Sequence, residues 1–445
     1  MIRSFLIVIP MIFALAPVTA VSQQQITLQE AFELAVENNH DIRVQMIRRQ
    51  QSENSIFRGG AGQLPSLGIV GDAEFSRNDA DLEIANFDTD GPTQVESISI
   101  DGSESKVYNA ALQLNYTLFD GFRGRYRFQQ LQSQNESTKL DTRIAIENTL
   151  LSVADAYLSV LSEQDNVDIL RQNLELSQNR LDRVREDRRS GTATNLDVLN
   201  AEVNYNADVI ELSAAEVELE ATTRLLIFQL GLDDEQTIEP TNTFQTNQNL
   251  QLQELMSSAM SQNAAILLAE EQQSNAELGR QISKAARYPS ISLRGSYGYF
   301  RQEIDASNLP LLETLGFTAG VSLRYNIFNG RQVEREIENR RLDVQSSRIQ
   351  LVSIQQEVQT EVRNVFARYR NSLRQLELAE TNVETAERNF ENSNEAFQLG
   401  QISSIELREA QINLLNETLR LNNLSFTAKQ LELSLLVLSG NWMSF

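Results

Sequence analysis

From Phe122 to Arg189 the chain contains no proline, and between Gly124 and Gly191 it contains no glycine. Apolar residues recur there at helical spacing: Leu140, Ile144, Leu151, Ala154, Leu158 and Leu161, then Val167, Leu170, Leu174, Leu181 and Val184. Steps of three, four and seven trace one stripe on a continuous α-helix. At ~1.5 Å per residue such a helix is ~100 Å long, far more than a compact domain needs. A coiled-coil wall is the natural product.

The same object occurs twice. Phe119-Asp120-Gly121 opens the first long helix, and Phe328-Asn329-Gly330 opens a second that ends at Gly400. These openings are 209 positions apart, as are Gly191 and Gly400, and Gly231 and Gly440. Upstream the offset becomes 224, from Leu28 to Leu252 and from Pro65 to Pro289. Punctuation kept in register over such distances marks an internal duplication. The expected organisation is a secretory signal over 1–20 and a first repeat over 21–236. That repeat holds a strand pair at about 66–118, a long helix over 122–189 and a return helix over 195–230. A linker over 237–250 joins it to a second repeat over 251–445, with strands at about 290–327 and helices over 331–399 and 403–438.

The signal rests on Arg3, the apolar run Phe5 to Leu15 and the small residues Val18-Thr19-Ala20. No later segment is expected to approach a transmembrane helix in length and apolarity. A net charge of −23 argues against nucleic acid and anionic lipid surfaces as partners. With no cysteine and only His40, neither a thiolate nor a histidine metal cluster can form, and no cofactor is expected. No nucleophile or paired-carboxylate constellation suggests an enzyme.

Between the helices the period changes to two. Tyr108, Ala110, Leu112, Leu114, Tyr116 and Leu118 alternate with Asn109, Ala111, Gln113, Asn115 and Thr117. Phe317, Ala319, Val321, Leu323, Tyr325 and Ile327 alternate with Thr318, Gly320, Ser322, Arg324 and Asn326. Such strands suit a membrane β-barrel, with lipid outside and water inside. A half-buried sheet on a soluble core is the alternative. Tyr116, Phe119, Tyr325 and Phe328 gather at strand ends, as interfacial aromatics do, which favours the barrel. Four strands cannot close by themselves, so subunits must pool them: two chains would give eight, three would give twelve. The acidic stretch from Asp79 to Glu104 lacks calcium-loop spacing and is expected to be a solvated loop.

With these features in register over nearly the whole mature chain, the sequence resembles the TolC-like outer-membrane efflux proteins. The resemblance is carried by Leu64-Pro65-Ser66 and Tyr288-Pro289-Ser290 before the strands, and by the Phe-Asp-Gly and Phe-Asn-Gly junctions at Phe119, Gly121, Phe328 and Gly330. It is carried also by the tips Ser190-Gly191-Thr192-Ala193-Thr194-Asn195 and Leu399-Gly400-Gln401-Ile402-Ser403-Ser404. It implies an α+β membrane protein: a long coiled-coil tunnel plus four strands of a trimeric, 12-stranded outer-membrane barrel. It also implies a homotrimer in the outer membrane of a Gram-negative-type cell. Its tips, at Gly191, Thr192, Thr194, Gly400, Gln401 and Ser403, would dock a periplasmic adaptor (membrane fusion) protein tied to an inner-membrane pump. The family's acidic aperture falls on Glu406 and Glu409, with Asp197 the first-copy counterpart of Glu406. Ile402 stands where some members have arginine. The implied function is the passive duct of a tripartite efflux or type I secretion system. A periplasmic coiled-coil scaffold or adaptor without a pore is the other class.

The two tips differ in charge. Arg180, Arg183, Arg185, Arg188 and Arg189 approach the first, whereas Glu384, Glu387, Glu391 and Glu395 approach the second. Alternating hairpins would bring Arg188 or Arg189 against Glu395, Glu406 or Glu409 as an electrostatic latch. Charges balanced within each hairpin, by Glu186, Asp187 or Arg388, are the plainer expectation.

Overall fold

The computed structural model describes residues 24–86, 94–241, 246–305 and 310–441. The signal expected over 1–20 lies outside these residues, as do Asp88 and Asp90. The first copy comprises β1 (Gln24–Ile26), α1 (Leu28–Asn38), α2 (His40–Asn54), β2 (Ser66–Asn86), β3 (Gln94–Phe119), α3 (Arg123–Ser190) and α4 (Asn195–Leu230). β4 (Ile238–Pro240) follows. The second copy comprises α5 (Leu252–Gln262), α6 (Ala264–Ala285), β5 (Ser290–Ile304), β6 (Leu311–Arg324), α7 (Gln332–Gln398) and α8 (Ser404–Leu438). The described residues form two compact units, one within 1–45, 144–263 and 358–445, the other within 46–143 and 264–357.

The first unit is built on an apolar core. Val153, Ala154, Tyr157, Leu158 and Leu161 of α3 pack with Leu226 and Leu230 of α4, Phe426 and Leu433 of α8, and Ala31 and Ala35 of α1. An 18-residue window of α3 reaches a mean hydropathy of 1.3 with no more than two charged residues, so a segment of membrane-spanning character does exist, contrary to expectation. Half of that window is buried in the protein, because the stripe supplies the core.

The expected linker over 237–250 is not plain coil. Its residues Ile238–Pro240 pair in parallel with Gln24–Ile26. The buried Tyr157 hydroxyl lies 2.8 Å from the Ile26 carbonyl and 2.9 Å from that of Thr241, and accepts the Thr241 N–H at 3.1 Å. Further along, the Tyr369 hydroxyl donates to the Asn247 carbonyl. The Asn247 N–H donates to Glu432 at 3.0 Å, and Glu432 is paired with the buried Lys429 at 2.9 Å. Burial, and next the charge of Glu432, push the Tyr369 hydroxyl up to about 12.

The duplication repeats at the level of single contacts. Asn39 Nδ2 donates to the Gln229 carbonyl at 2.7 Å, and Asn263 Nδ2 to the Leu438 carbonyl at 3.0 Å. Gly231 and Gly440 have φ +70° and +73°, and a Cβ on either would collide with the backbone of Asn38 or Gln262. Left-handed backbone and close approach together leave room for glycine alone.

The second unit carries an antiparallel sheet in the order β2-β3-β5-β6. Register aligns like with like: Ile69, Leu112, Tyr297 and Phe317 form one cross-strand row, and Tyr116, Leu293 and Val321 another. Gln113, Ser296 and Thr318 form a row on the opposite face. A one-residue slip would exchange the faces, so the alternation itself fixes the pairing. Ile69, Phe317 and Val321 are 83%, 72% and 65% exposed, so nothing among the described residues covers the apolar face. The outer edges of β2 and β6 have no partner strand among the described residues.

Two strand expectations need correction. The Asp79–Glu104 stretch is largely strand, because β2 and β3 stay paired from Ser66–Asn115 out to Asn86–Gln94, with one irregularity at Asn78/Ala80. Its carboxylates serve the hairpin: Asp79 accepts the Gly102 N–H at 2.5 Å, and Asp81 the Ser99 hydroxyl at 2.6 Å. Conversely, alternation reaches Ile327 but β6 stops at Arg324. Its partner residue there is Ser290, and the preceding Pro289 has no N–H to continue the ladder.

At the strand–helix junctions Phe122 and Arg331 have φ 68° and 66°, each following a left-handed glycine. Asp120 accepts the Gly124 N–H at 2.7 Å at the start of α3, and Gln63 donates to the Gly124 carbonyl at 2.8 Å.

Candidate functional site at the helical tips

Each long helix ends in the same way. Gly191 (φ +86°) and Gly400 (φ +69°) are left-handed, and the following N–H groups return to the helix end: Thr192 to the Asp187 carbonyl and Gln401 to that of Ala396, both at 2.9 Å. The next helices start with capping boxes. Thr194 N–H donates to Asp197 at 2.8 Å while Asp197 N–H returns to the Thr194 hydroxyl at 3.2 Å. Ser403 N–H donates to Glu406 at 2.7 Å while Glu406 N–H returns to the Ser403 hydroxyl at 3.3 Å. The hydroxyl and backbone bonds from Thr194 hold the Asp197 carboxyl below its usual range. For Glu406 the backbone bond is the larger cause and the Ser403 hydroxyl the second.

The two tips meet. A cavity of about 470 Å3 is lined by Asp187, Thr192 and Asp197 of the first and by Gly400, Ile402 and Ser403 of the second. Glu409 is exposed one turn beyond Glu406. Arg188, Arg189 and Glu395 are exposed too, and among the described residues no ion pair within the chain joins them to one another, to Glu406 or to Glu409. Several other tip charges pair at home: Arg183 with Asp187 at 3.6 Å, Arg185 with Asp182 at 3.6 Å and Glu202 at 4.0 Å, and Arg388 with Glu384 at 3.5 Å. Exposed pairs of this kind contribute ~0–1 kcal/mol each.

The strong electrostatics lie deeper, in residues that the sequence did not single out as a site. Arg408 of α8 grips Asp208 of α4 with both terminal nitrogens, at 2.8 and 2.7 Å. Asp208, 2% exposed, also accepts the Ser177 hydroxyl. Gln411 donates to the Asn173 carbonyl at 3.1 Å, its side-chain oxygen at 2.7 Å and Ser177 at 3.0 Å, and accepts from Arg180 at 2.9 Å. Further along, Asn422 donates to the Ser162 carbonyl and to Asn166, at 2.9 and 2.8 Å. Arg180, expected among solvated tip arginines, is instead 4% exposed. Burial, then the charge of Arg408, pull its guanidinium down to about 10, with Asp208 opposing, so it remains a cation at neutral pH.

A signal for this seam existed. Ser162, Asn166, Asn173, Ser177 and Arg180 recur at helical spacing on a face of α3 beside the apolar stripe, and Arg408, Gln411 and Asn422 share one face of α8. Polar residues at coiled-coil core positions sacrifice stability for register and specificity. Among the described residues no His, Cys, Asp and Glu cluster is placed to hold a metal.

This geometry agrees with comparison to known proteins. The "Outer membrane protein TolC" of Vibrio cholerae serotype O1 is 22% identical over 313 residues, covering 68% of this chain and 65% of that protein. The "Pyoverdine export outer membrane protein OpmQ" of Pseudomonas putida is 27% identical over 277 residues, covering 61% and 56%. The matches thus span somewhat less than two thirds of these relatives' own length. The crystal structure of the outer membrane protein VceC from Vibrio cholerae shares the fold, with a TM-score of 0.73, 18% identity, and coverage of 93% of this chain and 96% of that one. A profile described as outer membrane efflux protein matches residues 31–231 and 255–441, so the chain belongs to the outer membrane efflux protein family.

Proposed function

We propose that the chain is the outer-membrane channel-tunnel of a tripartite efflux or type I secretion system, a passive duct across the periplasm and outer membrane. The family is one of channels rather than enzymes. The observation that carries the reading is the four-stranded sheet, which among the described residues is apolar and uncovered on one face and unpaired at both edges. An open edge is not tolerated in lipid, so copies of the chain pool their strands; the family resemblance selects three, a homotrimer closing a 12-stranded barrel. A coiled-coil scaffold or adaptor without a pore accounts for α3 and α7 but gives this sheet no purpose.

In this reading Glu406, Glu409 and Asp197 face the periplasmic aperture. The surface around Gly191, Thr192, Thr194, Gly400, Gln401 and Ser403 receives a periplasmic adaptor tied to an inner-membrane pump, and the pump selects the cargo. The buried Asp208–Arg408 seam holds the two hairpins of one protomer together. Arg188 or Arg189 pairs with Glu395, Glu406 or Glu409 across the boundary between neighbouring hairpins.

Mass measurement of detergent-solubilised protein extracted from outer-membrane fractions tests the assembly. The expected result is a trimer. A monomer retaining its strand content contradicts the proposal.

A further inference from the structure

We propose that the polar face of the sheet carries a binding site, centred on Arg294 of β5, for the oxyanion of a hydrophilic solute, a carboxylate or phosphate group. Cross-strand register sets Asn115, Arg294 and Gly320 in one row, and Gln113, Ser296 and Thr318 in the next row of the same face. Together with Ser322 they line a concavity of about 500 Å3. This face is the reverse of the uncovered apolar one. Its place on the wall of the duct rests on the reading above, but the site itself lies within one chain.

Arg294 is exposed, and no carboxylate answers it. Among the described residues the ion pairs of the sheet join Arg77 to Glu104, and Arg301 to Glu303 and Glu313. The guanidinium of Arg294 makes one long hydrogen bond there, 3.4 Å to the Ser322 hydroxyl. The nearest carboxylate on this face of the sheet is Asp72, whose pairing with Asn109 sets it ~20 Å along the strands from the row of Asn115. A charge that far off in water is largely screened. Arg324, on the same face and ~13 Å along β6 from Gly320, is a second exposed cation outside those pairs. A guanidinium fork matches the oxygens of a carboxylate or phosphate, and the surrounding amides and hydroxyls add hydrogen bonds. No aromatic residue lines the concavity, so the solute it suits is hydrophilic.

Gly320 is an independent sign of a ligand. It lies inside β6, and β5 and β6 pair without irregularity from Ser290–Arg324 to Glu303–Leu311, so no bulge calls for it. Its backbone is not left-handed, and among the described residues a Cβ there would meet nothing within 4 Å. Glycine weakens a strand interior, and where neither bulge nor crowding explains it, it marks close approach by a ligand. The open floor opposite Arg294 is room for the oxyanion.

The test is phosphorus NMR of inorganic phosphate titrated into the full-length protein, solubilised in a maltoside detergent at fixed ionic strength. Excess line broadening should report saturable binding, reversed by citrate at concentrations where chloride has no effect. Arg294→Gln should weaken phosphate binding by about tenfold or more, the worth of one charge-assisted hydrogen bond. Gly320→Val, which keeps Arg294 but fills the floor, should weaken it too. Lys106→Gln removes a cation from the opposite face and should change nothing. Unsaturable broadening in the parent overturns the proposal. So does undiminished binding in Arg294→Gln or Gly320→Val, or an equal loss in Lys106→Gln. The mass of the same sample separates the two readings. A monomer that binds phosphate contradicts the duct and keeps the site, whereas a trimer without saturable binding loses the site alone.

Discussion

Tyr157 and Asp208 lie in the same helical unit and are almost equally buried, 1% and 2% exposed, yet their surroundings are opposites. Around Tyr157 the interface of α3 with α1, α4 and α8 is apolar, and the phenol's own polarity is spent on fastening β1 and the chain at Thr241. Around Asp208, α3, α4 and α8 meet through a carboxylate, guanidinium groups and carboxamides. Apolar burial is non-directional and tolerates small displacement, so it serves best where helices stay together. A buried bidentate ion pair is all-or-none in geometry and expensive to leave half made. The tipward seam is therefore the contact that depends more on exact geometry, and the core the more tolerant one.

The largest effect should come from breaking one side of that seam. Asp208→Ala leaves Arg408 and Arg180 buried without any counter-charge, and should lower stability by ~3–5 kcal/mol in chemical unfolding. Replacing both partners, Asp208→Leu with Arg408→Leu, should restore most of the loss. In the apolar region Leu158→Ala, at a fully buried position, should cost ~2–5 kcal/mol. No second substitution across the interface should rescue it unless it refills the cavity. If the charged pair shows no rescue, the contrast between the regions fails.

Much of this fold was legible before any coordinates. Unbroken helical periodicity demanded α3, the punctuation repeated 209 positions on placed α7, and alternation demanded the sheet, because each is a pattern that recurs along the chain. Where the strands end depended on partners: β6 stops at Arg324 because Pro289 lies beside the next position, which the β6 sequence by itself does not contain. The seam escaped for a related reason. Arg180 reads as one of several tip arginines until the α8 side chain of Gln411, 231 positions away, is set against it. Asp208 and Arg408, 200 apart in sequence, are paired by tertiary packing alone. The tip glycines and caps were visible, because each is decided by three or four adjacent residues.

The sheet extends the contrast to lipid. Leu114→Arg and Val321→Arg on the apolar face should each harm assembly by ~2–4 kcal/mol, while Gln113→Arg on the opposite face should be tolerated. Heat-resistant migration of the oligomer would score all three, and equal effects would refute the assignment of faces.

The caps should give the smallest change. Thr194→Ala and Ser403→Ala should each cost ~1 kcal/mol. Because hydrogen bonds depress the Asp197 and Glu406 carboxyls, the stabilisation is present above the unfolded carboxylate range and lost as pH falls through the lower folded values. Hydrogen exchange, corrected for the intrinsic rate, should show protection of the Thr194 and Ser403 amides, which donate to these carboxylates, at neutral pH that disappears in acid, and protection of the Asp197 and Glu406 amides, which donate to the cap hydroxyls, that the alanine variants lose. Protection unchanged in the alanine variants would remove the caps from the account.

Single-channel conductance in planar bilayers tests most directly whether the polar seam, and not the apolar core, sets the resting state. Asp208→Asn preserves shape but removes the charge that holds Arg408, and should raise resting conductance clearly above the parent. Leu158→Ala should lower stability without that rise. Arg188→Glu with Arg189→Glu should add to the opening if exposed pairs assist across neighbouring hairpins, and that part alone should weaken with salt. If Asp208→Asn conducts no better than the parent, or Leu158→Ala opens the pore equally, the seam does not hold the resting hairpins and the contrast between the two regions is wrong.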